Sequence, residues 1–173
     1  MAIQTNINEI EIKWGRPYKL EMGPGDVQCV PELSDTAWEN IPEGHGVYFF
    51  ARRHMTKEGY SYTVRYIGQS DNVRKRIGQH LNNLKLMTQL KHETRKGEKV
   101  LVVGELEHRA RRRESTKTAA IRIVEKALID KVIADNKGDY LFNKQGLKLD
   151  IHSISFSGGS VGKDIFGKKI EVS

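Results

Sequence analysis

The sequence predicts an α/β fold: a small mixed β-sheet flanked by helices, with N- and C-terminal extensions. Three observations lead there. Tyr60, Tyr62, Val64 and Tyr66 alternate with Ser61, Thr63, Arg65 and Ile67, the period of two that marks a strand. Val73, Ile77, Leu81 and Leu84 are spaced by four, four and three, an apolar helical stripe. Ile121, Val124, Leu128 and Val132 mark a second, longer helix, opened by Ser115 and running to about Asp135.

A chain of 173 residues suits one domain with a substantial core. Residues 1–43 read as an N-terminal extension. Ile7, Ile10 and Ile12 among charged neighbours suggest a short strand, and Thr36–Trp38 a helical turn ended by Pro42 and Gly44. Gly15-Arg16-Pro17 and Gly23-Pro24-Gly25 are turn signals. The expected job of this stretch is to add strands or cover an edge. Gly46–Ala51 is expected to be a central strand, with Val47 and Phe49 facing one way and Tyr48 and Phe50 the other. The polar segment Arg52–Gly59 then turns the chain into an antiparallel hairpin. Ser70 or Asp71 is suited to cap the first helix. Lys91–Lys99 reads as a basic loop and Val100–Val103 as a buried strand. Leu149–Phe156 reads as a further strand, Ser157–Ser160 as a flexible break, and Ile165–Val172 as a last strand or tail. The divisions are an extension at 1–43, a core at 44–150 and a C-terminal strand or tail at 151–173.

Composition narrows the class. With 38% hydrophobic and 29% charged residues a soluble globular protein is expected. No apolar run approaches the ~18–20 residues of a membrane span. Residues 1–12 lack the basic start and apolar stretch of a secretory signal. Cys29 is the single cysteine, so no disulfide forms within the chain; a buried thiol in a cytoplasmic protein is expected. The net charge of +7 is unevenly placed: residues 51–117 hold 17 Lys/Arg and 7 Asp/Glu, a surplus of +10, and the rest hold 12 and 15. Such a basic middle points to a polyanion. Arg111, Arg112 and Arg113 end the densest basic run and are candidate nucleic-acid contacts, or else a solvated loop.

Arg76 and His80, four apart, share one flank of the first helix's stripe, with Arg74 on the opposite flank and Lys75 outward. At ~100° per residue Glu125 falls inside the apolar face of the second helix. A buried carboxylate is costly unless it is paired in a core salt bridge or holds a metal. Each residue also has a plainer reading: strand tyrosines, a surface arginine, a structural histidine and, for Asn143, a turn asparagine.

Gly46-Val47-Tyr48 and Tyr66-Ile67-Gly68 occur in order, followed by Asn72, Arg76, His80, Glu125 and Asn143. This series resembles the GIY-YIG nuclease superfamily from roughly Glu43 to Asp150. Val47 stands where the family pattern has Ile, and Gln69 where some members carry Lys. The resemblance implies a GIY-YIG-like core with Tyr48 as general base for a water and Tyr66 positioning water or phosphate. Arg76 would stabilise transition-state charge, and His80 would orient Tyr48 or move a proton. Glu125 would hold one Mg2+ or Mn2+. Gly68, Gln69, Asn72 and Asn143 would lie on the substrate side. The expected function is a divalent-metal-dependent endonuclease hydrolysing DNA phosphodiester bonds. The alternatives are a nuclease-like module that grips nucleic acid without cutting it, and a basic scaffold. Both a monomer and a homodimer stay open.

Overall fold

A computed structural model describes residues 9–22, 31–93, 97–107, 114–135, 141–143 and 152–172. The chain is α/β, a mixed sheet flanked by helices. Its longest feature is a hairpin of β5 (Gly46–Thr56) and β6 (Gly59–Ser70). β7 (Glu98–Leu106) runs antiparallel along the other edge of β5. Beyond β7 lie β1 (Glu9–Trp14), then β8 (His152–Gly158) and β9 (Lys169–Val172), giving the order β6-β5-β7-β1-β8-β9. The β1–β8 pairing is parallel and its neighbours are antiparallel. β1 thus lies inside the sheet, between β7 and β8. The short β2 (Tyr18–Lys19) also pairs with β7. β3 (Glu21–Met22) and β4 (Pro31–Glu32) form a separate two-strand ladder, followed by the short helix α1 (Asp35–Glu39).

Two cores lie on opposite faces of the sheet. On one, α4 (Glu114–Ala134) and α5 (Ser160–Phe166) cover Val47, Phe49, Ala51, Val100 and Val102. On the other, α2 (Val73–Leu81) and α3 (Leu84–Glu93) cover Tyr48, Phe50, Leu101 and Val103. The alternation expected for β5 therefore holds. Each large apolar side chain so buried contributes about 1.5–3 kcal/mol. Trp14 stacks on Phe156 and Phe166 and meets Phe49 edge-on, joining β1, β8 and α5 to the centre of the sheet.

Several local expectations are corrected. Arg52–Gly59 is not a turn: β5 continues to Thr56, and only Lys57–Glu58 connects the strands. Polar residues extend the strand there because Arg53 pairs with Glu98 and lies over the Tyr60 ring. The cap of α2 is neither Ser70 nor Asp71 but Asn72, whose side chain accepts from Lys75 N at 2.9 Å. Ser70 instead brackets Asn72, its hydroxyl donating to Asn72 O and accepting from Asn72 N. The apolar stripe stops at Leu81: α2 ends there, and Leu84 begins α3 and is 68% exposed. Lys91 is helical rather than part of a basic loop, and Lys99 lies in β7.

Residues 157–160 do not form a flexible break. They close β8 and open α5, and Gly159 N donates to Trp14 O. The C-terminal stretch contains α5 before β9. Among the described residues no helix is long and apolar enough to cross a membrane. Cys29 and Arg111–Arg113 lie outside the described residues.

Candidate active site

The strict alternation expected over residues 60–67 would place Tyr66 with Val64, on the α4 face. A bulge prevents this. Phe50 pairs with Tyr66 but Ala51 pairs with Val64, leaving Arg65 as the extra residue. One extra residue exchanges the faces of everything that follows. Tyr66 consequently joins Tyr48 on the α2 face, while Ile67 joins the α4 core. The two tyrosine rings stack with centroids 6.4 Å apart.

Gly68 makes room for this arrangement. It pairs with Tyr48 across the hairpin, and a Cβ on it would fall 2.5 Å from Tyr48 Oη. Gly46 is held equally closely: a Cβ there would meet Gly104 O on β7 at 2.4 Å. Both glycines are thus demanded by close approach, one to a side chain and one to a backbone.

α2 brings in the next two groups. Val73 and Ile77 anchor it to the sheet, and one turn later His80 is buried against the tyrosines. The His80 ring lies 5.0 Å from that of Tyr66 and 5.7 Å from that of Tyr48. Tyr66 Oη and His80 Nε2 are 3.5 Å apart, with donor and acceptor fixed by the imidazole tautomer. Arg76 is exposed on the same flank and donates to Gln79 Oε1 at 3.0 Å. Arg74 serves a different end. Its guanidinium pairs with Glu43 and donates to Ile41 O and Glu39 O, fixing α2 to the chain that enters β5.

α4 packs along β6, the edge strand, and carries Glu125 at its half-buried margin. Glu125 therefore flanks the apolar face made by Ile121, Val124 and Leu128 rather than sitting at its centre.

Burial governs the electrostatics. It pushes the Tyr48 phenol well above its ordinary range, reinforced by Tyr66 and opposed by Arg76. Tyr48 Oη is buried and faces the Arg76 guanidinium and the Tyr66 hydroxyl. Burial also raises Tyr66, with Arg76 opposing, and raises the Glu125 carboxyl, with Arg76 and Arg122 opposing through space. For His80 burial and Arg76 act together and bring the imidazole down to about 4. At neutral pH the free protein thus has two neutral phenols and a neutral imidazole around one guanidinium.

The other expected residues are placed as follows. Asn143 forms a two-sided contact with the β6 backbone: Nδ2 donates to Ile67 O at 2.6 Å and Oδ1 accepts from Ile67 N at 3.2 Å. Its amide completes the free edge of the strand between the two motif residues Tyr66 and Gly68. Asn72 is occupied as the cap of α2.

A groove of about 370 Å³ opens here, bordered by residues 69–72, by Lys75, Arg76 and Gln79 of α2, and by Thr118 and Arg122 of α4. Arg122 and Thr118 were not singled out by the sequence pattern. Their spacing from Glu125, three and seven residues, puts all three along one side of a helix and is the signal that finds them. A larger cleft of about 570 Å³ lies between the hairpin end and the last turn of α4 and touches none of the candidate residues. Among the described residues no three of His, Cys, Asp and Glu gather as a ready-made metal cluster. No protein-family model, curated protein or solved structure matches the chain.

Proposed function

We propose that this protein is a divalent-metal-dependent endonuclease of the GIY-YIG kind, hydrolysing DNA phosphodiester bonds, with residues 44–150 as its nuclease unit. One observation carries the reading: the rings of Tyr48, Tyr66 and His80 gather with centroids 5.0–6.4 Å apart beside a groove that Arg76 borders, and the Arg76 charge reaches all three and Glu125. Residues up to 77 positions apart in sequence converge on one charge beside an open groove.

The residues fit a hydrated divalent ion. Glu125 is a half-buried carboxylate whose cationic neighbours act on it through space, one helical turn from Arg122 at the edge of the open groove. Glu125 would be the protein ligand, with water and phosphate oxygens as the others, a donor set suited to Mg2+ or Mn2+. When bound, the ion supplies charge stabilisation at the phosphate and the leaving oxygen.

The chain's own groups supply the rest. Arg76 presents paired N–H groups to the non-bridging phosphate oxygens, where negative charge grows as water attacks phosphorus. The water is held beside Tyr48. Its proton moves by way of the tyrosine pair to His80, which is neutral at pH 7 and whose Nε2 faces Tyr66 Oη at 3.5 Å. The P–O bond to the leaving oxygen breaks as the new bond forms. The second reading, a module that binds DNA without cutting it, draws support from the burial of Tyr48, which keeps the phenol protonated in the free protein.

Supercoiled plasmid incubated with the protein and Mg2+, Mn2+ or chelator separates the two. Nicking that requires metal is expected, reduced roughly 100-fold or more in Arg76→Ala, the scale of losing one transition-state donor. Arg76→Lys should not restore it, because an ammonium lacks the planar fork. DNA binding with no cleavage in either metal would overturn the enzyme reading in favour of the binding module.

A further inference from the structure

Arg76 and Arg122 border the same groove from opposite sides, one on α2 and the other on α4. Lys75 adds a third cation, against one bordering carboxylate among the described residues, Asp71. Two arginines elsewhere in the chain are neutralised by carboxylates, Arg53 by Glu98 and Arg74 by Glu43. These two are not. Arg76 donates to the neutral Gln79 amide, and Arg122 acts on Glu125 only through space. Like charges held across a small cleft repel unless an anion lies between them. The walls offer further donors for such an anion: the Thr118 hydroxyl and the amides of Gln69 and Gln79.

We infer that this groove is a second phosphate subsite, in which Arg122, with Lys75 and Thr118, holds a backbone phosphate of the bound DNA strand next to the one that Arg76 contacts. The inference rests on the nuclease reading for the identity of its ligand, a nucleic-acid backbone. It assigns to Arg122, Thr118 and Lys75 a binding role outside the Tyr48–Tyr66–His80 cluster. Arg122 holds the strand in register with Glu125, one helical turn away on α4.

The test is the salt dependence of DNA binding, measured by fluorescence anisotropy of a labelled duplex over a series of KCl concentrations without divalent metal. The full chain carries Glu125→Gln, so that neither cleavage nor the charge of Glu125 enters the measurement. Arg122→Ala should lower the log–log salt slope by about 0.9, one phosphate contact. Arg122→Lys should keep most of the slope, since an ammonium also contacts a phosphate. Lys168→Ala is the control: its exposed cation lies near β9, at the far edge of the sheet, and should leave the slope unchanged. An unchanged slope in Arg122→Ala, or an equal loss in Lys168→Ala, overturns the subsite. Failure of the nuclease reading looks different: the wild-type chain then cuts no plasmid, yet the Arg122 slope still falls. Because Arg122 is exposed, its replacement does not threaten the fold.

Discussion

A methyl group on Gly68 would lie 2.5 Å from Tyr48 Oη and 2.6 Å from its ring carbon. Neither the tyrosine nor the strand behind Gly68 has space to retreat, since Tyr48 is fully buried. Gly68→Ala is therefore expected to cost about 1–3 kcal/mol by overpacking and to displace the phenol, lowering the melting temperature and turnover together. Thermal melts and nicking rates on the same preparation check this; wild-type values for both would mean that the approach relaxes freely. His80 carries a second prediction. Its imidazole titrates near 6.5 in an unfolded chain and at about 4 here. Between those values the unfolded state binds more protons, so stability rises with pH through this window and is lost as pH falls. His80→Phe should flatten the rise, as read from melting temperatures between pH 4 and 7 with and without the substitution. The identities of Tyr48, Tyr66, Arg76, His80 and Glu125 are legible in the sequence because residue type and order are enough to select them. Their protonation is not, since it follows from burial, which the sequence gives only as a face. Asn143 illustrates the same limit: the residue stands out, but its attachment to the Ile67 backbone depends on where the 141–143 segment meets β6.

At the scale of elements, the bulge at Arg65 decides whether a site exists. Period-two reading of β6 assigns Tyr66 to the α4 face, and only the extra residue returns it to Tyr48. A bulge has no strong signal in a single sequence, which is why the alternation looked regular. Deleting Arg65 gives a sharp test. With the bulge removed, Tyr66 follows Val64 directly and stays on the Tyr48 face in ordinary register, so the contact between Tyr66 and His80 should survive. The deletion loses the hydrogen bond from Phe142 N to Arg65 O, at a cost of roughly 1 kcal/mol. Ring-to-ring nuclear Overhauser effects between Tyr66 and His80 report the outcome, and their disappearance from a folded variant would contradict the assignment of the bulge. Helix identities were legible from periodicity, while helix ends were not. The stripe through Leu84 ran across a break between α2 and α3, because an apolar residue at the right interval fits a helix that has already stopped. Asn72, directly before Val73, is the cap that position alone would have chosen.

Across the whole molecule, the hairpin, α2 and α4 supply the candidate site, and the remaining strands supply the frame behind it. β1 and β8 are joined through Trp14 to Phe49, the neighbour of Tyr48 on β5. That β1 lies between β7 and β8 could not be read from its pattern, because a strand's alternation does not name its partners. The basic surplus of residues 51–117 surrounds the groove in part: Lys75 and Arg76 border it directly. Glu125 tests the account at this scale, because it lies where α4 meets the site that β5, β6 and α2 build. Its pKa is raised by burial, so in metal-free protein the folded state holds a proton that the unfolded state releases. Stability then declines as pH rises from the unfolded value toward the folded one. Glu125→Gln should remove that decline and melt no lower than wild type at neutral pH in chelator. The decisive measurement is the plasmid nicking rate of Glu125→Gln per folded molecule with Mg2+, beside its melting temperature and its affinity for DNA. If Glu125 holds the metal, the variant folds, binds DNA as the wild type does and cuts it hundreds of times more slowly, on the ~10²–10³ scale of losing a group that stabilises charge at the reacting phosphate. A destabilised variant that cuts at the wild-type rate would contradict the account, and would make Glu125 half of a core ion pair instead.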